Sequence, residues 1–206
     1  MNLDESMSLV ISRLQLNRYF PKYQLERSID GFLSLFIEEY LSLRYGADVR
    51  YIAAEFPIKK EENNQSTNVD YVLFRYGPSP AWLFVELKTD ENSIRADQMV
   101  AYNSFDNIQM HALLRQIREN IMPKSRQKRK YQYLLDKITK SDPPTDIDAP
   151  IVVVYITGHS LAVETKAQYP NIEWVELSQF ADKLNVTKHP ELWKHVRKLL
   201  TFTPLP

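Results

Sequence analysis

The sequence predicts an α/β domain in which helices flank one central mixed sheet of four to five strands. Apolar segments of strand length, rich in β-branched and aromatic residues, occur at 69–76, 82–89 and 151–157. A segment with helical periodicity, 24–45, precedes them. The order of helix, strands, helix, strands and helix is typical of a sheet covered on its faces by helices.

Length and composition narrow the class of protein further. The 206 residues fit a single domain over 1–206, with a core at about 24–177 and a C-terminal helical elaboration at about 178–206. The chain has no cysteine, which excludes thiolate zinc sites and cysteine nucleophiles. Its 4 glycines are too few for a Rossmann loop or a P-loop.

Targeting signals are not visible in the sequence. The first residues are acidic where a signal peptide would be basic, and no apolar run follows them. The longest apolar stretch, 151–156, is too short to span a bilayer. We therefore expect a cytoplasmic protein without membrane association.

The sequence predicts a short helix before Pro21 and a long one over 24–45, which Gly46 ends. Apolar residues recur along one face of the long helix. On a helical wheel Glu26 and Glu39 flank that face, while Glu38 points away. The apolar residues are Leu25, Ile29, Phe32, Leu33, Phe36, Tyr40 and Leu43.

Three strands follow, at 50–58, 69–76 and 82–89. The Gly-Pro-Ser-Pro sequence at 77–80 predicts a tight turn, so the last two strands form an antiparallel hairpin and the three form a meander. The polar segment 59–68 predicts a loop. For the rest of the chain the sequence predicts a helix over 93–120 capped by Ser93, a helix within 124–138, a proline-rich linker at 141–150, strands at 151–157 and 172–177, and helices around Phe180 and over 190–200.

Charged residues interrupt the apolar hairpin at one end. Glu86 and Lys88 share a face because alternate residues of a strand point the same way. Asp70 lies near the start of the partner strand. Charged side chains in such apolar surroundings are usually paired, metal-bound or catalytic.

The pairing of the two strands decides whether these side chains meet. If Tyr76 pairs with Ala81, Asp70 falls opposite Leu87 and the carboxylates of Asp70 and Glu86 face different sides. A shift of one residue brings them to the same side. A functional site therefore requires the shifted register.

Two carboxylates and a lysine suit the hydrolysis of phosphodiesters. Carboxylate oxygens are good ligands for Mg²⁺, which also takes a phosphate oxygen of the substrate. An ammonium group can orient the attacking water or stabilise the transition state.

The pattern of Asp70 on one strand and Glu86-Leu-Lys88 on the next resembles the PD-(D/E)XK nuclease superfamily, although Val69 replaces its usual proline. The sequence Gln98-Met-Val-Ala-Tyr102 resembles the Gln-X-X-X-Tyr motif of the RecB-like branch. The resemblance covers about 24–105 and implies a restriction-endonuclease-like core.

The resemblance also implies roles for these residues in a DNA nuclease dependent on Mg²⁺ or Mn²⁺. Asp70 and Glu86 would hold the metal, and Lys88 would act on the attacking water or the transition state. Gln98 and Tyr102, on one face of a helix, would assist orientation.

Members of this superfamily often take a further acidic residue from the first helix. Glu26 fits best, and Glu39 is the alternative.

A basic run after the long helix predicts contacts with the DNA backbone. Because 26 basic and 26 acidic residues give no net charge, a homodimer or a partner subunit could help to hold substrate. Two other hypotheses remain: an inactive nuclease-like fold that binds nucleic acid or protein, and an unrelated α/β protein with a fortuitous Glu-X-Lys. The basic run consists of Lys124, Arg126, Lys128, Arg129 and Lys130.

Overall fold

A computed structural model describes residues 3–17, 25–59, 66–88, 94–103, 105, 108–141, 144–158, 163–184 and 188–200. The strands are β1 (Val49–Lys59), β2 (Ser66–Arg75), β3 (Ala81–Lys88), β4 (Ile151–Thr157) and β5 (Ile172–Glu176). The α-helices are α1 (Leu3–Asn17), α2 (Leu25–Leu33), α3 (Ile37–Tyr45), α4 (Ala96–Asn103), α5 (Met110–Gln116), α6 (Lys128–Thr139), α7 (Val163–Gln168), α8 (Leu177–Lys183) and α9 (Pro190–Leu200). A π-helical turn, Ile117–Ile121, and a 3₁₀ turn, Met122–Lys124, follow α5.

In this part of the chain the strands form one sheet in the order β1-β2-β3-β4-β5. The first three are antiparallel, as the meander predicts, and β4 and β5 are parallel additions beside β3. Every residue of β3 is buried. Parallel strands are covered by helices on both faces, which explains why β3 and β4 are almost continuously apolar. The predicted α/β class with a mixed sheet is confirmed.

The register of the hairpin is the shifted one. Arg75 pairs with Ala81, and Tyr71 pairs with Val85. The pairing of Tyr76 with Ala81 does not occur. Gly77, with φ of 113°, takes a turn conformation that other residues rarely adopt, and this accommodates the longer loop.

Helices cover the sheet on two sides. The side formed by α1, α2, α3, α8 and α9 packs apolar residues such as Ile29, Tyr40 and Phe180 against the sheet. The side formed by α4, α5 and α6 packs another apolar set that includes Tyr102 and Leu135. None of the described helices is both long and apolar enough to cross a membrane.

The prediction of one continuous helix over 24–45 was wrong. The helix ends at Leu33, and a turn held by the N–H groups of Leu35 and Phe36 leads into α3. Leu33, Phe36 and Ile37 are all buried. The tighter turn rotates the chain so that these neighbouring apolar side chains all reach the core. The predicted stop at Gly46 is confirmed by its left-handed φ of 60°.

Two other predicted segments differ from the structure. The helix over 93–120 is divided into α4 and α5, and Ser93 lies outside the described residues. Of the loop predicted over 59–68, Lys59 belongs to β1 and residues 66–68 belong to β2, while 60–65 lie outside the described residues.

Helices α1 and α9 are joined by a buried histidine. The Nε2 atom of His195 lies 2.6 Å from Oδ1 of Asp4, and its Nδ1 lies 3.5 Å from the hydroxyl of Ser8. His195 is buried, whereas Asp4 is exposed. The hydrogen bond with His195 lowers the pKa of Asp4 from its ordinary value of 3.8.

Asp4→Ala is expected to destabilise the protein at neutral pH, because a buried ring nitrogen loses its partner. The pKa of Asp4 is lower in the folded state, so its contribution is present above pH 3.8 and is lost as the pH falls through the lower value. Urea unfolding of the wild type and of Asp4→Ala, at pH values above and below 3.8, measures the difference in unfolding free energy. Asp148→Ala is the control, because Asp148 pairs with the half-exposed His111 and should contribute less. Equal losses in the two variants would contradict the expectation.

Candidate functional site

The end of β3 carries a buried ion pair. Nζ of Lys88 lies 2.6 Å from Oε1 of Glu86, and the two residues are only 6% and 2% exposed. They point toward α4, since alternate residues of β3 face that side. The carbonyl of Lys88 accepts a hydrogen bond of 2.7 Å from the N–H of Gly158, which fixes the strand end beside β4.

Helix α4 brings Gln98 and Tyr102 to the same carboxylate. The amide of Gln98 donates to Oε1 of Glu86 at 2.7 Å, and the hydroxyl of Tyr102 donates to Oε2 at 3.3 Å. Gln98 also donates to the hydroxyl of Tyr102 at 3.0 Å. The spacing of four residues places both side chains on one helix face, so one turn of α4 supplies two donors.

Asp70 reaches the same end of β3 from the neighbouring strand. The register that pairs Tyr71 with Val85 puts Asp70 opposite Glu86 when it is continued by one residue. Oδ2 of Asp70 accepts a hydrogen bond of 2.7 Å from the N–H of Leu87. The described pairing of β2 with β3 ends at Tyr71, so a carboxylate takes the place of a strand carbonyl at this point.

Burial and charge set the protonation of the site. Burial raises the pKa of Glu86, and the nearby ammonium of Lys88 opposes this effect. Burial also raises the pKa of Tyr102, and the charges of Glu86 and Asp70 raise it further. Tyr102 therefore stays neutral and acts as a hydrogen-bond donor at physiological pH.

The carboxylates of Asp70 and Glu86 are the groups that could hold a divalent metal. Among the described residues there is no cluster of three or more His, Cys, Asp or Glu side chains suited to a metal. Mg²⁺ needs only one or two protein carboxylates when waters and a substrate phosphate complete its coordination. In number and chemical type these two carboxylates meet that requirement.

The acidic residues of the first helices have different positions. Glu26 lies in α2, but its side chain is outside the described part of the structure. Glu39 is half-buried in α3. Glu38 was expected to point away; instead its Oε1 accepts a hydrogen bond from the N–H of Tyr51 on the edge strand β1.

Two residues near the site were not singled out from the sequence. The hydroxyl of Thr67 lies 3.5 Å from the amide of Gln98, but Thr67 belongs to the segment predicted as a loop. Asp30 of α2 accepts a hydrogen bond from the hydroxyl of Tyr71, the neighbour of Asp70. Spacing along α2 identifies Asp30 only as an exposed helical residue, because its partner lies on another element.

The predicted basic run is divided by the structure. Arg129 and Lys130 lie in α6 and line a cleft beside β1. Lys124 ends the 3₁₀ turn, Arg126 precedes α6, and Lys128 is the first residue of α6. These last three are exposed and do not line the cleft.

Comparison with known proteins adds no assignment to this geometry. No protein-family model matches the sequence, and no curated protein matches it.

Proposed function

We propose that this protein is a metal-dependent nuclease that hydrolyses phosphodiester bonds of DNA. The observation that carries the proposal is the convergence of Lys88, Gln98 and Tyr102 on the buried carboxylate of Glu86, beside Asp70. These are the residues that the resemblance to PD-(D/E)XK nucleases, and to their RecB-like branch, selects. The five-stranded mixed sheet between helices is compatible with the core of that superfamily.

Fold stability does not account for the ion pair. A buried ion pair is seldom more stabilising than apolar side chains of similar volume, because both charges lose their hydration. The surrounding face of the sheet is apolar and includes Phe84 and Met99. The presence of Glu86 and Lys88 in this position is therefore better explained by chemistry than by packing.

In the proposed reaction each of these side chains would have a distinct role. Asp70 and Glu86 would bind the metal, which would supply Lewis acidity toward the phosphate and lower the pKa of a water. Lys88 would hold the attacking water or neutralise charge on the phosphate oxygens. Gln98 and Tyr102 would orient the carboxylate of Glu86, so they are positioning residues in this proposal.

Asp70→Asn is expected to reduce cleavage of plasmid and linear DNA in the presence of Mg²⁺ or Mn²⁺ by about 100-fold or more, because metal stabilisation of the transition state is worth several kcal/mol. The substitution keeps the shape of the side chain and an oxygen that can accept from Leu87. Gel analysis of the products measures the rate.

The control for this experiment is Asp182→Asn. Asp182 is an exposed carboxylate on α8, and its weak contact with Arg197 lies on the other side of the sheet. The Asp182→Asn variant should cleave DNA at the wild-type rate. If wild-type protein cleaves no DNA and binds no Mn²⁺ in calorimetry, the proposal fails, and the inactive nuclease-like fold that only binds nucleic acid or protein takes its place.

A further inference from the structure

A cleft of about 840 Å³ lies between the edge strand β1 and helix α6. One wall is formed by residues of β1, including Tyr51 and Glu55, together with Asn68 of β2. The other wall is formed by α6. The cleft is on the same side of the sheet as α4, because α4 and α6 pack in the same apolar cluster.

The wall formed by α6 carries a row of cationic and aromatic side chains. Arg129, Tyr133 and Lys137 recur at intervals of four residues and so follow one helix face, and Lys130 lies beside them. All four are exposed, and Tyr133 is 65% exposed. The carboxylate of this helix, Asp136, pairs with Lys140 at 3.2 Å.

The charge of the cleft is positive although the chain as a whole is neutral. Among the described residues that line it, three are cationic and one, Glu55, carries a carboxylate. That carboxylate accepts a hydrogen bond of 2.9 Å from the amide of Asn68. A local excess of positive charge on a neutral protein favours a polyanionic ligand at this place.

The aromatic residues indicate which polyanion fits. Tyr51 is 38% exposed on the strand wall, and Tyr133 projects from the helix wall. Exposed tyrosines between cations form a stacking surface for bases whose faces are free. In a duplex each base is already stacked between its neighbours, so this surface suits an unpaired strand.

The cleft ends beside the candidate site. Ala54 pairs with Tyr71 and Phe56 pairs with Val69, so Glu55 lies opposite Asp70 in the same register. Asn68 of the cleft is adjacent to Thr67, which contacts Gln98. A polynucleotide strand bound along the cleft would therefore arrive at Asp70.

We propose that the cleft between β1 and α6 binds a single-stranded polynucleotide and leads it to the site at Asp70 and Glu86. The statement about binding is independent of catalysis, whereas delivery to the site rests on the proposed nuclease function. Phosphates would contact Arg129, Lys130 and Lys137, and bases would stack on Tyr133.

The test is fluorescence anisotropy in EDTA with a labelled single-stranded oligonucleotide of about 20 residues, a length that covers one or more single-strand sites. EDTA separates binding from cleavage. Lys130→Ala/Lys137→Ala is expected to weaken binding at least tenfold and to reduce the slope of log affinity against log salt by about 1.4, or about 0.7 for each lost phosphate contact. Tyr133→Ala is expected to weaken binding about fivefold or more.

Lys183→Ala/Lys194→Ala is the matched control, because it removes two exposed lysines from helices on the opposite side of the sheet. It should leave affinity and salt slope unchanged. Equal effects of the two double variants, or tighter binding of a blunt duplex than of the single strand, would overturn the proposal. DNA and RNA strands of one sequence show which sugar is accepted. If the cleft variants bind the single strand as tightly as wild type while Mg²⁺-dependent cleavage by the wild type is observed, the cleft proposal is rejected and the nuclease proposal stands.

Discussion

Lys88→Met is expected to lower the rate of metal-dependent DNA cleavage by about 1,000-fold, the upper range for removal of one preorganised group that stabilises transition-state charge. Methionine has a similar length and suits a position that is only 6% exposed. The substitution therefore removes the ammonium group without leaving a large cavity. Cleavage of plasmid DNA under single-turnover conditions measures the chemical step.

Metal binding separates the role of Lys88 from that of the carboxylates. Lys88 lowers the pKa of Glu86, so its removal raises that pKa further. Binding of Mn²⁺ should nevertheless persist at alkaline pH, because metal binding favours the ionised carboxylate, and calorimetry measures it. Lys140→Met, at an exposed position on the surface, is the control. Wild-type cleavage by Lys88→Met would mean that the ion pair with Glu86 is structural only.

Trp82→Ala is expected to reduce the free energy of unfolding by about 3–5 kcal/mol, the usual cost of deleting a large buried aromatic side chain. Trp82 is fully buried at the start of β3 and packs edge-to-face on Phe74, with ring centroids 4.9 Å apart. Domains of this kind are stable by about 5–15 kcal/mol, so the loss is a large fraction of the total. Urea unfolding followed by circular dichroism measures it.

The loss of unfolding free energy in Trp82→Ala has a second component, a hydrogen bond, which Trp82→Phe removes separately. The indole N–H donates to the carbonyl of Asp146 at 2.9 Å and ties the segment before β4 to β3. Trp82→Phe keeps most of the apolar volume and removes this hydrogen bond, so it should cost about 1 kcal/mol. If Trp82→Ala costs no more than Trp82→Phe, then the cavity contributes little and the expectation is wrong.

Several elements were predictable because their signal is local. The segments 82–89 and 151–157 are apolar over a length that suits strands. The described part of the first lies in β3, Ala81–Lys88, and the second forms β4. The turn after Tyr76 and the stop at Gly46 depend on residues with special backbone preferences. Such signals act within a few residues, and the corresponding elements are present in the structure.

The division of the first long helix was not predictable in this way. Periodicity from Leu25 to Leu43 is compatible with one straight helix. The turn before α3 instead results from the need to bury Leu33, Phe36 and Ile37 against the sheet. Core packing outweighs the local preference for a continuous helix, because each buried apolar side chain is worth about 1.5–3 kcal/mol.

The α/β class and the shared face of Glu86 and Lys88 were predictable from the sequence, since alternation along a strand is a local property. Gln98 and Tyr102 were selected through the resemblance to the PD-(D/E)XK superfamily. The register that puts Asp70 opposite Glu86 is a tertiary feature, and so is the packing of α4 that buries Glu86 under two hydrogen-bond donors. A register shift of one residue leaves the sequence pattern of each strand unchanged but moves every side chain relative to its neighbours. That choice depends on the energy of the whole sheet and its helices, which no short segment contains.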